Sequence, residues 1–123
     1  MTKTPDPFCP DKHHQKGRFI EACVLCLLRE EPCYGYSLME KLNLFGFDKN
    51  SVSISVIYRN LHDMERRGLV SSSWAESEQG PKKRIYAITP GGEKALDNWI
   101  SLLQDRKKRI MAIIDKYQST HKA

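Results

Sequence analysis

The sequence predicts a mainly α-helical fold that carries one small β-hairpin and ends in a long helix. Apolar residues recur at helical spacing in three separate segments of the first half of the chain. Two short runs of alternating apolar and polar residues follow, on either side of a Gly-Pro turn. An apolar residue then recurs every seven positions from Leu96 to Tyr117, as in helices that pack along one seam.

Composition and charge narrow the class of protein. The 123 residues suit a single domain whose core a second subunit can complete. Lys and Arg number 20 against 15 Asp and Glu, and the net charge of +5 favours a polyanionic partner. No apolar run approaches the roughly 20 residues of a membrane span, and the polar N-terminus lacks a signal-peptide core. We therefore expect a cytoplasmic protein with no membrane partner.

The N-terminal part is predicted as an arm followed by a buried helix. Residues 1–16 are polar and contain three prolines, which predicts an arm without regular structure. The first helix is expected from Gly17 to Glu31, where Pro32 ends it. It is apolar nearly all round, which is typical of a helix at the centre of a domain. Its inward stripe is predicted to consist of Phe19, Ile20, Cys23, Val24, Leu27 and Leu28.

A second helix is predicted after a short turn at residues 33–36. It runs from Tyr36 to Leu44, and Gly46 ends it. Leu38, Leu42 and Phe45 are expected to point into the core. A polar loop over residues 47–52 leads to the next helix.

The third predicted helix lies between Ser53, a good N-cap, and Gly68, where a left-handed C-terminal cap is needed. Ile57, Leu61 and Met64 form its buried stripe. The opposite face combines small polar groups, an aromatic hydroxyl and a cation, which is the chemistry that a helix in the major groove of DNA requires. The alternative is an ordinary amphipathic surface helix. The candidate DNA-reading residues are Ser53, Ser55, Tyr58 and Arg59.

Two β-strands are predicted over residues 69–76 and 83–89, around a turn at Gly80-Pro81. A hairpin directly after a DNA-reading helix forms the wing of a winged helix-turn-helix. Its basic cluster suits phosphate contact, although a solvated hairpin with incidental cations is the alternative. The candidate phosphate-binding residues are Lys82, Lys83 and Arg84.

The last helix is predicted to begin with Thr89 as N-cap and Pro90 in the first turn, which Gly91-Gly92 weakens. About 28 residues of helix span roughly 40 Å, which is longer than this core can cover. The surplus apolar face therefore needs a partner, and a second copy of the same helix is the economical choice over folding back on its own domain. The candidate dimer-interface residues are Leu96, Trp99, Ile100, Leu103, Ile110, Ile113, Ile114 and Tyr117.

Three units follow from these elements: an N-terminal arm (1–16), a winged helix-turn-helix (17–89), and a C-terminal dimerisation helix with its tail (90–123).

A DNA-binding protein that responds to a signal also needs a site that binds an effector. Four aromatic residues are candidates for an apolar pocket at the dimer interface that binds a flat or apolar effector, although core and interface packing is the alternative. They are Tyr34, Tyr36, Trp74 and Trp99.

The cysteines raise a second possibility for the input. Cys23-x-x-Cys26, with Cys9, His13 and His14 before it, has the residue types of a zinc or thiol-redox site. Helical geometry instead places Cys23 on the packed stripe, where cysteine acts as a small hydrophobe. We predict free thiols, no metal and no cofactor, and keep a thiol- or metal-responsive regulator as an alternative.

An enzyme is not expected. The sequence has no phosphate-binding glycine loop and no H-E-x-x-H pattern, and its serines do not lie on a nucleophile elbow. A protein-interaction module that keeps the winged-helix shape without reading DNA is a further alternative. Salt-dependent binding to random duplex DNA separates it from a DNA-binding protein.

The chain resembles the PadR family of bacterial winged-helix transcriptional regulators over roughly residues 19 to 100. The resemblance lies in CVLCLLREEPCYGYSLMEKL, in VSISVIYRNLHDMERRGLV and in SSSWAESEQGPKKRIYAITPGGEKAL. It departs from the family pattern at Gly91, where an acidic residue is common, and at Ile54, where proline is common. The N-terminal FCPDK…QKGR segment is similar to the branch of polyhydroxyalkanoate-responsive repressors.

The resemblance implies a homodimer that binds double-stranded DNA, usually as a repressor, and that joins through its C-terminal helices. It also implies an effector, which is a small molecule or, in the polyhydroxyalkanoate branch, a polymer. Two-fold symmetry predicts an inverted-repeat operator whose half-sites lie about one helical turn apart.

Overall fold

The computed structural model describes the backbone of residues 12–47, 52–75 and 83–121, and the side chains within these ranges from Phe19 to Thr120. Within these ranges, no helix is long and apolar enough to span a bilayer. The elements in chain order are α1 (Lys12–Glu30), β1 (Cys33–Tyr34), α2 (Gly35–Lys41), a 3₁₀ turn (Leu42–Phe45), α3 (Ile54–Arg66), β2 (Val70–Ala75), β3 (Lys83–Ile88) and α4 (Pro90–His121).

Helix α1 occupies the centre of the core, as its apolar sequence predicts. It contacts α2, α3, α4 and β3. Because neighbours lie on several of its sides, Leu25 is fully buried although it falls outside the predicted stripe, whereas Phe19 and Cys23 are only partly buried. The helix begins at Lys12, five residues before the predicted start, so the predicted arm overlaps its first turns.

The sheet has three antiparallel strands in the order β1-β3-β2. Strand β1, predicted as part of a turn, pairs Cys33 with Tyr86 and Tyr34 with Ile85. Two residues are too few to show an alternating pattern, and a long-range pairing alone makes them a strand. The hairpin of β2 and β3 follows the prediction, with Val70 opposite Ile88 and Trp74 opposite Arg84.

Helix α2 begins one residue earlier than predicted and passes into the 3₁₀ turn after Lys41. Leu38 and Leu42 are fully buried, as expected. The prediction for Phe45 is wrong, since its side chain is 45% exposed. A 3₁₀ helix has 3.0 rather than 3.6 residues per turn, so this segment leaves the helical phase from which the prediction was made. Gly46 ends the turn with φ of +87°, a conformation that favours glycine.

Helix α3 has the predicted cap, stripe and stop. The Ser53 Oγ accepts a hydrogen bond from the backbone N–H of Val56 at 3.3 Å. Gly68 lies just after the helix with φ of +77°. The buried stripe has no exposed surface and consists of Ile57, Leu61 and Met64.

Helix α4 is 32 residues long, about 48 Å at 1.5 Å per residue. Thr89 caps it as predicted, because its Oγ1 accepts from the N–H of Gly92 at 3.0 Å. Leu96 is 2% exposed because it packs into the core of its own chain. It is therefore not available for the contact with a second subunit that the sequence predicted. Beyond Arg106 every residue to Thr120 is exposed, so the second half of the helix extends past the core.

Candidate nucleic-acid interface

The outer face of α3 presents polar and aromatic groups to solvent. Ser55, Tyr58 and Arg59 are exposed, while the opposite face of the same helix is buried in the core. Ser53 is also exposed, but its oxygen already accepts the cap hydrogen bond, which leaves its hydroxyl proton to donate. All four predicted residues are therefore exposed to solvent, three on the outer face of α3 and Ser53 at its N-cap.

Tyr58 rests against Gly35, the first residue of α2. A Cβ built at Gly35 would lie 2.6 Å from Cε1 of Tyr58 and 3.0 Å from its hydroxyl oxygen. Only a glycine leaves room for the ring in this position. The Gly35-Tyr36 motif thus determines where an aromatic side chain of α3 lies.

The wing places two cations beside α3. Lys83 and Arg84 are exposed on β3, whereas Lys82 lies outside the described residues. The Arg84 guanidinium carbon lies 4.8 Å from the centre of the Trp74 ring, a cation–π contact across the two strands of the hairpin. This contact directs Arg84 toward the groove between the wing and α3.

The wing is also attached to α3 by a hydrogen bond. Ser72 on β2 donates from its Oγ to the Glu65 Oε2 at 2.7 Å. Glu65 lies near the C-terminal end of α3, on the side that contacts the hairpin. The bond therefore helps to hold the base of the wing at a fixed position relative to α3.

A groove of about 700 Å³ separates α3 from the wing. Its walls combine aromatic rings and hydroxyl groups with two cations, and none of the described residues that line it carries a carboxylate, so this part of the groove suits an anionic occupant. Burial raises the pKa of Tyr86 despite the opposing influence of Arg84, which keeps the phenol neutral near pH 7. We call this feature the wing groove; it is lined by Tyr34, Tyr36, Ser37, Tyr58, Trp74, Lys83, Arg84 and Tyr86.

The wing groove contains three of the four aromatic residues predicted to form an effector pocket. Trp99 is the exception, because it does not line this groove. Its ring packs against the core and its Nε1–H donates to the Glu21 Oε2 at 2.9 Å. Ser37 and Tyr86 are groove residues that the sequence analysis missed. The pairing of β1 with β3 brings them there, and no local pattern reports that pairing.

The outer half of α4 presents an apolar stripe. Ile100, Ile110, Ile113, Ile114 and Tyr117 of the predicted interface are exposed, and Leu103 is partly buried. Trp99, by contrast, is attached to its own core through Glu21. Leu102 and Met111 add apolar surface that the sequence analysis did not assign.

The described cysteines are free thiols. Cys23 and Cys26 are partly buried, and Cys33 is buried. Burial, followed by the neighbouring Cys26, raises the pKa of Cys23 to about 11, so its thiolate is scarce near pH 7. Among the described residues no group of His, Cys, Asp and Glu is arranged to hold a metal ion. Cys9 and the side chains of His13 and His14 lie outside the described residues.

A three-stranded sheet with an exposed third helix and a cationic wing defines the class of winged-helix proteins. Comparison with known families identifies the family within that class. The model of the transcriptional regulator PadR-like family matches residues 24–98, more than half of the chain. The chain therefore belongs to the PadR-like family, whose members are DNA-binding transcriptional regulators and not enzymes.

Structures from other organisms share this fold. The chain is 30% identical to a PadR-like transcriptional regulator from Bacillus cereus, with a TM-score of 0.70 over 83% of this chain and 96% of the other. A PadR-like transcription factor from Bacteroides fragilis is 26% identical, with the same TM-score and coverage. A conserved protein described as a potential transcriptional factor is 29% identical, with a TM-score of 0.76 over 98% of this chain and all of the other. The comparison with curated proteins yields no match.

Proposed function

We propose that this chain is a homodimeric transcriptional repressor that binds an inverted-repeat operator and is released by an effector. The observation that carries the proposal is the open polar face of α3, with the cations of the wing beside it. In each subunit α3 enters a major groove and the wing contacts the flanking backbone. Two-fold symmetry then places the two half-sites about one helical turn apart.

Each residue of this surface has a proposed role. Arg59 contacts a base edge, since a guanidinium is suited to a bidentate contact with guanine. Ser55 and Tyr58 donate hydrogen bonds on the same face, and the Ser53 hydroxyl donates from the first turn. Lys83, together with Lys82 at the predicted tip, neutralises phosphates without reading sequence.

The wing groove is proposed as the path of one DNA strand between α3 and the wing. Its hydroxyls from Tyr36, Ser37 and Tyr58 are donors that suit phosphate oxygens, and Arg84 supplies a positive charge. Because aromatic faces line the same groove, we also propose it as the site of an effector. A flat anionic molecule seated there would contact Tyr58 and Arg84, and so would compete directly with DNA.

The dimer is proposed to form through the exposed stripe of α4. Soluble proteins rarely leave an extended apolar strip uncovered, and a two-fold pairing of identical helices covers both strips at once. The proposed interface consists of Ile100, Leu103, Ile110, Ile113, Ile114 and Tyr117, while Leu96 and Trp99 contribute to the core beneath it. The similarity of the N-terminal segment to polyhydroxyalkanoate-responsive repressors predicts the kind of effector, and it stays a prediction.

Two variants test the proposed division of roles. Arg59→Ala should relax sequence preference at one operator position, at about 1–3 kcal/mol for a lost bidentate contact. Lys83→Ala should weaken binding to all duplexes alike and reduce the slope of affinity against salt by about one ion. Fluorescence anisotropy titrations with operator and random duplexes measure both effects.

Lys116→Ala is the matched control, because it removes one exposed cation from α4 and none from the wing or α3. It should leave both titrations close to wild type. If Arg59→Ala and Lys83→Ala also bind as the wild type does, the proposed interface is wrong. If the wild type binds no duplex at low salt, the winged helix serves as a protein-interaction module instead.

A further inference from the structure

Three helices meet at one partly buried carboxylate. Glu21 on α1 accepts from the Nε1–H of Trp99 on α4 at 2.9 Å through its Oε2. Its Oε1 pairs with the Arg67 guanidinium at the C-terminal end of α3. The Glu21 side chain is only 16% exposed, so these contacts are less screened than those of a surface ion pair.

Arg67 is itself held in position from two sides. Its Nε donates to the Asp63 Oδ2 at 3.0 Å, one turn earlier in the chain, while its Nη2 reaches Glu21. The hydrogen bond to Glu21 raises the pKa of Arg67, which is charged at any pH the protein meets. Glu21 therefore joins the last turn of the reading helix to the helix that carries the apolar stripe.

The start of α4 contacts the same end of α3 at a second point. The Thr89 Oγ1 donates to the Gly68 carbonyl at 2.6 Å, and its N–H donates to the Leu69 carbonyl at 3.1 Å. Gly92 lies so close to Leu69 that a Cβ there would be 2.1 Å from the Leu69 oxygen. The chain after α3 and the first turn of α4 are thus in backbone contact.

A helix that is attached to its domain at one point can rotate about that point, whereas a second attachment point fixes its direction. Gly92 and Trp99 are seven residues apart, about 10 Å along the helix. The apolar contacts of Leu96 lie between them and carry no directional preference of their own. The hydrogen bond from Trp99 to Glu21 is a partly buried, directional contact at this second point, so it opposes rotation of α4 about its start.

We infer that Glu21 is a positioning residue that fixes the angle between α3 and α4, and thereby the operator half-site spacing that the dimer accepts. The inference rests on the proposed function, because it needs two reading helices joined through α4. A rotation of about 10° at Gly92 moves Ile113, about 30 Å away, by about 5 Å. One base-pair step is about 3.4 Å. The shift is thus at least as large as the rise between neighbouring spacings, so the rigidity of this angle contributes to the choice between them.

The test measures affinity against a series of duplexes whose two half-sites are separated by one base pair more or less at each step. The wild type should prefer one spacing over its neighbours by about tenfold, a typical size for coupling between two sites. Glu21→Leu, which removes the acceptor and the charge, and Trp99→Phe, which removes the donor together with part of the ring, should each reduce that preference to about twofold. Affinity for a single half-site should stay within about twofold of wild type in both variants.

Arg29→Gln is the matched control. The Arg29 Nε lies 3.6 Å from the Glu93 Oε1, so this pair also joins α1 to α4, but it is exposed and does not involve α3. Arg29→Gln should keep the wild-type spacing profile. Thermal melting and sedimentation on each variant establish that it is folded and dimeric. Trp99→Phe, which keeps an aromatic ring at this position, is the second variant if Glu21→Leu does not fold.

Several outcomes would overturn the inference. Folded Trp99→Phe with the wild-type spacing profile would do so, as would a wild type that accepts neighbouring spacings equally well. An equal loss on single and paired half-sites would assign Glu21 a general structural role instead. A wild type that binds paired half-sites no better than random duplex would contradict the proposed function itself, which is a distinguishable result.

Discussion

Gly35 and Tyr58 are in direct contact, and the missing side chain of the first makes room for the ring of the second. A Cβ at Gly35 would approach Cε1 and Cζ of Tyr58 to 2.6 and 2.8 Å. Tyr58 is 45% exposed and lies on the open face of α3. The first residue of α2 therefore controls the position of a side chain that we assign to DNA.

Gly35→Ala should weaken operator binding by about tenfold with little loss of stability. The added methyl displaces the Tyr58 ring, which moves outward because one of its sides is open to solvent. The free energy of unfolding should change by about 1 kcal/mol or less, since Ala also favours the helix that begins here. In a Tyr58→Ala background the same change should cost no further affinity, because the clash is gone. Equal losses in both backgrounds would contradict this account.

Gly92→Ala should strongly destabilise the fold. Its Cβ would meet the Leu69 carbonyl oxygen at 2.1 Å and the Ile88 Cγ1 at 2.7 Å, and a backbone atom cannot turn aside as a side chain can. We expect a loss of about 3 kcal/mol in the free energy of unfolding, at the upper end for overpacking. Gly91→Ala is the comparison, since its closest contact is 3.0 Å from the Gly68 oxygen. Urea denaturation of the two variants should show a much smaller effect at Gly91.

Ile113→Lys should convert the dimer to a monomer while each subunit stays folded. The Ile113 side chain is 69% exposed in the single chain, so the change removes no core contact. Two lysines facing each other across the two-fold axis would place charge in the proposed interface, where charged residues are depleted. Sedimentation equilibrium measures the association, with Lys108→Ala on the opposite side of α4 as control. A fully dimeric Ile113→Lys protein would rule out this stripe as the interface.

Cys23 should be slow to react at neutral pH. Burial raises its pKa from 9.0 to about 11, so alkylation by iodoacetamide, followed on the Cys23 peptide by mass spectrometry, should rise with a midpoint near pH 11. The unfolded thiol loses its proton first, so the stability difference between wild type and Cys23→Ala should fall as pH rises from about 9 to about 11. Rapid alkylation at pH 7 would reopen the thiol-responsive alternative.

The sequence predicted most reliably the features that residues within one segment determine, such as the ends of a helix and its buried face. Helix α3 follows its prediction because Ser53, Gly68 and the apolar stripe all act within one segment. Strand β1 and the wing groove depend on pairing between segments far apart in the chain, which no local pattern reports. The hydrogen bond between Trp99 and Glu21 was not predicted for the same reason, since the two residues are 78 positions apart in the chain.

The tandem glycines Gly91 and Gly92 also show that local sequence does not report contacts with distant segments. Local propensity identifies Gly91-Gly92 as a weak first turn, which is a cost to the helix. The structure shows what the second glycine allows, namely the close approach of α4 to the Leu69 carbonyl. Helix propensity depends on one segment alone, whereas the need for glycine at Gly92 arises from the backbone of Leu69, which belongs to another segment.

Sequencing the fragments that the purified protein selects from a random library of DNA duplexes tests the central claim most directly. The account predicts enrichment of an inverted repeat with half-sites about one helical turn apart, and loss of enrichment at one position of each half-site in Arg59→Ala. Recovery of unenriched sequence by a folded, dimeric wild-type protein at low salt would contradict it.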